Sequence, residues 1–196
     1  MHELRKFFPE FESLNNFARE LEYREIVNPA DGVTYPGISD EVPEWIKKHV
    51  EKRCSNAWGR ELEAKTIFFR LTHRGEELVK APHQAHTDTA MGKYTFICYF
   101  QDAPPHWPEA GTSLLKHRTV GGLHQDPWTN GEMEVWERDT NRYDSWVITK
   151  LFGMERNKAV TYESKRMHRA EPVGGFGSDV NDGRLVLVAF LDVPNG

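Results

Sequence analysis

The run Arg184-Leu185-Val186-Leu187-Val188-Ala189-Phe190-Leu191-Asp192 is apolar at every position between its charged ends. It reads as a strand with a fixed cation at its mouth. Val186, Val188 and Phe190 share the face of Arg184, because side chains two apart on a strand project the same way. Working outward, Thr66-Ile67-Phe68-Phe69-Arg70-Leu71 has the same β-branched and aromatic character. Further short strands are expected over Tyr94 to Phe100, Ser113 to Lys116 and Ala159 to Glu163, punctuated by Gly and Pro. Ahead of them the period changes. Phe11, Leu14, Phe17, Ala18, Leu21, Tyr23 and Ile26 recur at steps of three and four, which predicts an amphipathic helix over residues 10–27. A loop of turn formers follows, from Asn28-Pro29 through Pro36-Gly37, and then a second helix over Pro43 to Lys52. The architecture is β-rich α+β: a sandwich or barrel with N-terminal supporting helices packed outside.

Length and composition bound the answer. A chain of 196 residues is expected to form a single domain over 1–196 with a substantial core. Residues 1–62 read as helical N-terminal support and 63–196 as the β core. A long insertion at about 117–157 interrupts that core, its middle from Glu132 to Phe152 partly helical by pattern. Hydrophobic content of 38% and charged content of 28% are those of a soluble globular protein. A formal net charge of −5 argues against nucleic acid and anionic membranes as partners. No apolar run is long enough to span a bilayer, and the N-terminus lacks the apolar core of a signal peptide. Cys54 and Cys98 give no disulfide framework, so the cytoplasm is the expected compartment. Cys98 alternates with Phe96 and Phe100 and reads as a core thiol.

The residues that carry chemistry begin with His86-Thr87-Asp88 and continue with the distant His168, in Met167-His168-Arg169-Ala170-Glu171-Pro172. Two imidazoles and a carboxylate can occupy one face of an octahedral metal and leave the other positions open, the facial arrangement of non-heme Fe(II) oxygenases. On a strand His86 and Asp88 would share a face, whereas His83 would not. The same His-x-Asp pattern arises by chance in a chain with nine histidines, as His124-Gln125-Asp126 shows. That second triplet lies between Gly121-Gly122 and Pro127 and lacks a strand to fix it. An isolated triplet of either kind is weak. Arg184 by itself would be a surface cation, and Glu51-Lys52-Arg53 a solvated helix face.

The order of motifs is more specific. After His86-Thr87-Asp88 come Thr95-Phe96-Ile97-Cys98-Tyr99-Phe100-Gln101, then Gly111-Thr112-Ser113-Leu114, then His168 with Pro172 four positions on, then Arg184. Over roughly residues 80 to 192 the chain resembles the 2-oxoglutarate- and Fe(II)-dependent dioxygenases, and within them the prolyl-4-hydroxylase-like branch. The resemblance implies a double-stranded β-helix, a jelly-roll or cupin-like barrel. It implies His86, Asp88 and His168 as iron ligands and Arg184 as the partner of the distal carboxylate of 2-oxoglutarate. Tyr99 would donate a hydrogen bond to the same group, and Thr95, on Tyr99's face, would line the cosubstrate pocket. O2 is the co-oxidant that the class requires. The gap from His168 to Arg184 is longer than usual, and Thr112 stands where a second Gly is common; a Gly-rich hairpin can lengthen without moving either strand.

Each residue type suits that chemistry. Iron that must hold a bidentate 2-oxoacid and O2 can take three protein ligands. Arg offers a planar fork for a carboxylate and keeps its charge. Members that halogenate lack the carboxylate ligand, so Asp88 implies hydroxylation or a related oxidation. The expected partner is a small-molecule, amino-acid or peptide substrate. Trp107, Trp128 and Trp136 lie in or beside the insertion and could wall it; packing of the insertion is the alternative. Two rival classes stand beside this reading. A cupin-like metal enzyme without 2-oxoglutarate would lack the downstream Arg, and a non-catalytic barrel would show an eroded ligand set.

Overall fold

The computed structural model describes residues 1–27, 32, 34–73, 85–121 and 130–194. In chain order its first elements are β1 (His2–Leu4), α1 (Phe11–Glu20), β2 (Arg24–Val27), β3 (Thr34–Ser39) and α2 (Glu44–Trp58). Next come β4 (Glu63–Thr72), β5 (Tyr94–Tyr99), β6 (Gly111–His117), α3 (Asn130–Asp139) and a single 3-10 turn over Tyr143–Ser145. The chain closes with β7 (Trp146–Gly153), β8 (Lys158–Glu163), β9 (His168–Glu171) and β10 (Arg184–Asp192). The strands form a seven-stranded sheet, ordered β1-β8-β5-β10-β4-β3-β2, and a three-stranded sheet, ordered β7-β6-β9. Every pairing is antiparallel.

Strand β10 explains the layering. Its odd residues, Leu185, Leu187, Ala189 and Leu191, join Phe11 and Leu14 of α1 and Ile46, Val50 and Cys54 of α2 in one buried cluster. Its even residues, Val186, Val188 and Phe190, face the other way, into a second cluster with Ile97, Tyr99, Val160 and Tyr162. Leu114 and Phe152 of the three-stranded sheet complete that second cluster. A strand buried on both faces reads as a continuous apolar run, since neither side meets water. Arg184 interrupts the run on the inner face, and it is buried.

Several expectations about elements need correction. The first helix stops at Glu20, not 27: Leu21 is extended at φ −70 and ψ 151, and Arg24–Val27 pairs with β3. Tyr23 and Ile26 continue the helical spacing, but the β-branched pair Ile26-Val27 finds a strand partner, and tertiary pairing overrides the local period. The second helix outruns Lys52 to Trp58 and ends at Gly59, whose φ of 64 is the left-handed conformation that closes helices. Residues 1–62 thus contain β1, β2 and β3 as well as two helices. The stretch Glu132 to Phe152 is helical only at its start; Trp146–Gly153 is a strand along β6, with a register shift at Leu114/Leu115. Cys98 and Cys54 are buried free thiols whose pKa burial raises, that of Cys54 to about 12. Among the described residues no helix is long and apolar enough to cross a membrane.

Candidate metal centre

His86 and His168 are brought together by backbone. Each donates its N–H to the other's carbonyl, at 3.0 and 2.9 Å, forming one antiparallel bridge outside the regular strands. Their rings lie 4.3 Å apart, centroid to centroid. Asp88 is placed differently from the strand picture. Its N–H donates to Ser164 O at 2.9 Å, and its carbonyl accepts from Met91 N at 2.8 Å, so a turn and the end of β8 aim its side chain. His86 Nε2 stands 3.6 Å from Asp88 Oδ1, and His168 Nε2 stands 3.2 Å from Asp88 Oδ2. One ligand atom from each of the three residues lies within 4.8 Å of the others. Ligands at right angles around a metal, with bonds of ~2.1 Å, sit about 3 Å from one another. The two His–Asp separations are close to that spacing.

The tautomer of His168 and the ionisation of Asp88 suit a metal ligand set. His168 Nδ1 lies 3.0 Å from the Arg166 carbonyl, which only accepts, so Nδ1 carries the proton and the Nε2 lone pair faces Asp88 when the ring is neutral. Burial opposes a charged His168, but the Asp88 carboxylate more than offsets it and raises the imidazole pKa. Burial would likewise raise Asp88; the charges of His168 and His86 and the Thr95 hydroxyl prevail and hold it down at about 2. The carboxylate is therefore ionised at neutral pH and ready to ligate. His168 is buried, while the His86 side chain is 38% exposed, so one side of the triad is accessible.

Behind the ligands lies a hydroxyl chain. Thr95 Oγ1 donates to Asp88 Oδ2 at 2.9 Å, and because that proton is committed, Ser164 Oγ, also 2.9 Å away, donates to Thr95. Further into the space between the sheets sits Arg184. Its Nη2 donates to Gly111 O at 3.3 Å and to Thr112 Oγ1 at 3.4 Å, while its buried Nε has no partner. Gly111 must be glycine: a Cβ there would meet Phe152 O at 2.1 Å. The Tyr99 hydroxyl lies 2.9 Å from Thr112 Oγ1 and 3.1 Å from Phe152 O, so its hydrogen bonds go to the three-stranded sheet. Among the described residues the buried Tyr162 hydroxyl finds no hydrogen-bond partner. Its ring meets His168 edge-on at 5.1 Å, and burial followed by the charge of Asp88 drives its pKa well up.

All six residues singled out from sequence thus fall on this inner side: the triad together, Thr95 against Asp88, and Tyr99 with Arg184 around Thr112. Tyr162, Ser164 and Thr112 escaped the sequence reading. Tyr162 is an inward-facing residue with a polar tip next to the end of β8, two positions from Val160 on the same face, which is a visible signal; the other two carry none. The segment after β6 closes on the site. Ala85 N donates to Thr140 O at 3.1 Å, and Thr140 Oγ1 donates to Ala85 O, next to His86. Trp136 packs towards Trp146, Leu115 and Ala85, and Trp107 packs on the cluster between the sheets. Arg138 and Arg142 both pair with Asp139, at 2.8 and 3.3 Å. His83, Trp128 and the triplet His124-Gln125-Asp126 lie outside the described residues.

No protein-family model matches the sequence, and no curated protein does. Solved structures resemble it in fold. The non-heme alpha-ketoglutarate-dependent epimerase SnoN from nogalamycin biosynthesis superposes with a TM-score of 0.57 at 13% identity, over 96% of this chain and 76% of SnoN. SnoN in complex with Fe3+, alpha-ketoglutarate and nogalamycin RO gives 0.52 at 12% identity, over 96% and 77%. AviO1 from Streptomyces viridochromogenes Tue57 gives 0.51 at 15% identity, over 97% and 84%. None of these neighbours supports the prolyl-4-hydroxylase-like branch.

Proposed function

We propose that this protein is an Fe(II)- and 2-oxoglutarate-dependent oxygenase built on a double-stranded β-helix. Its reaction is hydroxylation of an unactivated C–H bond of a small molecule, amino acid or peptide side chain. The observation that carries the reading is the pairing of His86, Asp88 and His168 within 4.8 Å with a buried guanidinium, Arg184, whose Nε lacks a partner. A cationic donor buried without an acceptor is costly unless a ligand supplies one. The neighbours are consistent with it, because SnoN is an alpha-ketoglutarate-dependent enzyme of this fold.

When bound, iron with 2-oxoglutarate and O2 supplies the oxidant for a C–H bond, and the cosubstrate leaves as succinate and CO2. The chain's residues prepare for that. His168, with Nδ1–H held by Arg166 O, offers Nε2 in one orientation. Thr95 fixes the rotation of the Asp88 carboxylate. Arg184 takes the distal carboxylate of the cosubstrate, Thr112 steadies the guanidinium, and Tyr99 braces Thr112. Val186, Ile97 and Val160 line the space between and keep it dry. Within the expected insertion, residues 130–145 border the mouth through Thr140 and serve as its cover, whereas β7 belongs to the sheet. With both cysteines free and buried, nothing here calls for an oxidising compartment, which agrees with a cytoplasmic enzyme.

The test is anaerobic addition of Fe(II) and then 2-oxoglutarate, read as a metal-to-ligand visible absorption band. A band that forms, and that is lost on replacing Asp88, supports the assignment; no band in the unaltered protein ends it. With a substrate in hand, hydroxylation adds one oxygen atom to the product mass, whereas epimerisation leaves the mass unchanged.

A further inference from the structure

Arg70 is a further cation on the inner side of the seven-stranded sheet, and the reaction just proposed does not use it. It lies on β4 in register with Val186 of β10 and Ile38 of β3. Phe68, two residues earlier, packs against Phe190 at 6.1 Å on the inner face, so strand alternation turns Arg70 inward as well. Asp88 and Arg184 are both near enough to act on its charge. Burial, and then the like charge of Arg184, weaken its hold on the proton, and Tyr35 and Asp88 only partly offset them. The residue as a whole is half-buried, and among the described residues its covered Nε has no hydrogen-bond partner.

The structural alternative is a stack on Tyr35. That ring lies 5.7 Å from the guanidinium carbon, near the outer limit of a cation–π contact, and it satisfies no N–H. Among the described residues no carboxylate forms an ion pair with Arg70 or Arg184: the acid that acts on Arg70 is Asp88, of the triad, and the acid that acts on Arg184 is Glu171, which pairs with Arg169. Two guanidinium groups on the same side of the sheet, near enough for one to act on the other, repel each other unless anions come between them. A 2-oxoglutarate dianion has one end for Arg184 and the other for the metal. It leaves Arg70 without a counter-charge.

We propose that Arg70 is a specificity-determining residue that binds a carboxylate of the primary substrate, so that the enzyme acts on carboxylic acids. The inference rests on the oxygenase reading for the place of 2-oxoglutarate. A guanidinium suits a carboxylate by two parallel N–H···O bonds, which Lys reproduces only as a point charge. Neutral compounds of the same shape would leave Arg70 as unsatisfied as it is now.

The experiment compares the unaltered protein with Arg70→Met and Arg70→Lys, each loaded anaerobically with Fe(II) and saturating 2-oxoglutarate. Acetate, propionate and benzoate are titrated against acetamide, propionamide and benzamide, and the thermal midpoint is read. The acids should stabilise the unaltered protein and the amides should not. Acid binding should weaken by about tenfold or more in Arg70→Met and by less in Arg70→Lys. The 2-oxoglutarate titration of the visible band should change less than twofold in either variant. Stabilisation by acids and amides alike, equal acid binding in Arg70→Met, or no stabilisation by any acid would overturn the proposal. So would a loss of 2-oxoglutarate affinity in Arg70→Met, since Arg70 would then serve the cosubstrate. An unaltered protein that forms no band at all fails the oxygenase reading instead, and the acid titration of its metal-loaded form still reports on Arg70.

Discussion

Thr95 gives its hydroxyl proton to Asp88 Oδ2 and receives one from Ser164, so a chain of two hydroxyls aims the carboxylate of the triad. Groups that orient metal ligands typically contribute 10–100-fold to metal affinity. Thr95→Val, of nearly the same volume, should therefore lower Fe(II) affinity by about 10–100-fold, measured by competition with a chelator, with the fold intact by circular dichroism. Unchanged affinity would mean that Asp88 is aimed by its backbone bond to Ser164 alone. On the proposed function Arg184 serves the other component, 2-oxoglutarate. Arg184→Met should keep Fe(II) and weaken 2-oxoglutarate by about 2–5 kcal/mol, the usual cost of removing one member of a desolvated charge pair. If the visible band titrates normally in that variant, Arg184 does not hold the cosubstrate.

At the scale of elements, α3 and the 3-10 turn after it are fastened through Asp139. Its carboxylate accepts from Arg138 at 2.8 Å, from Arg142 at 3.3 Å and from the buried His117 at 3.2 Å, and its backbone carbonyl accepts from Trp146 Nε1 at 2.9 Å. The Arg138 hydrogen bond foremost, against the desolvation of a buried acid, holds its pKa well below the ordinary carboxylate range. A depressed folded-state pKa stabilises above the unfolded value and is lost as pH falls through the folded one. Asp139→Asn should therefore lower the melting temperature at neutral pH. The gap to the unaltered protein should close below about pH 4, where the unfolded chain begins to take up its proton. A gap that persists undiminished in acid would show that Asp139 acts through shape. Because Thr140 next to it clasps Ala85, the same variant should also loosen His86, read as weaker Fe(II) binding.

For the whole molecule, the seven-stranded sheet has two clients: helices on one face and the site on the other. Leu187 belongs to the first cluster and is fully buried. Leu187→Ala should cost about 2–5 kcal/mol in denaturant unfolding, because a cavity remains where the helices cannot collapse. Metal affinity should stay within about twofold, since mutations without shared partners act nearly independently. A large fall in metal affinity would mean that the two faces are mechanically coupled.

What could be read from the chain alone follows from short-range physics. Apolar runs long enough to need cover on both sides marked β4, β5 and β10. The His-x-Asp triplet, the distant His168 and Arg184 stood out by residue type and spacing, and the fold brings the first three together. The reading failed where a residue's partner is remote in sequence. Residues 24–27 have helical spacing but pair with β3, and Trp146–Gly153 is a strand because β6 lies beside it. The roles of Ser164 and Thr112 exist only because the turn after β8 meets Thr95 behind Asp88, and strand β6 of the other sheet meets Arg184. Arg70 looked like any polar residue in a strand. Only register with Val186 turned it inward, and only the pairing of the sheets left its Nε buried and unmatched. Period and residue type are properties of neighbours along the chain, whereas a hydrogen-bond partner or a missing counter-charge is a property of neighbours in space, and folding alone supplies those.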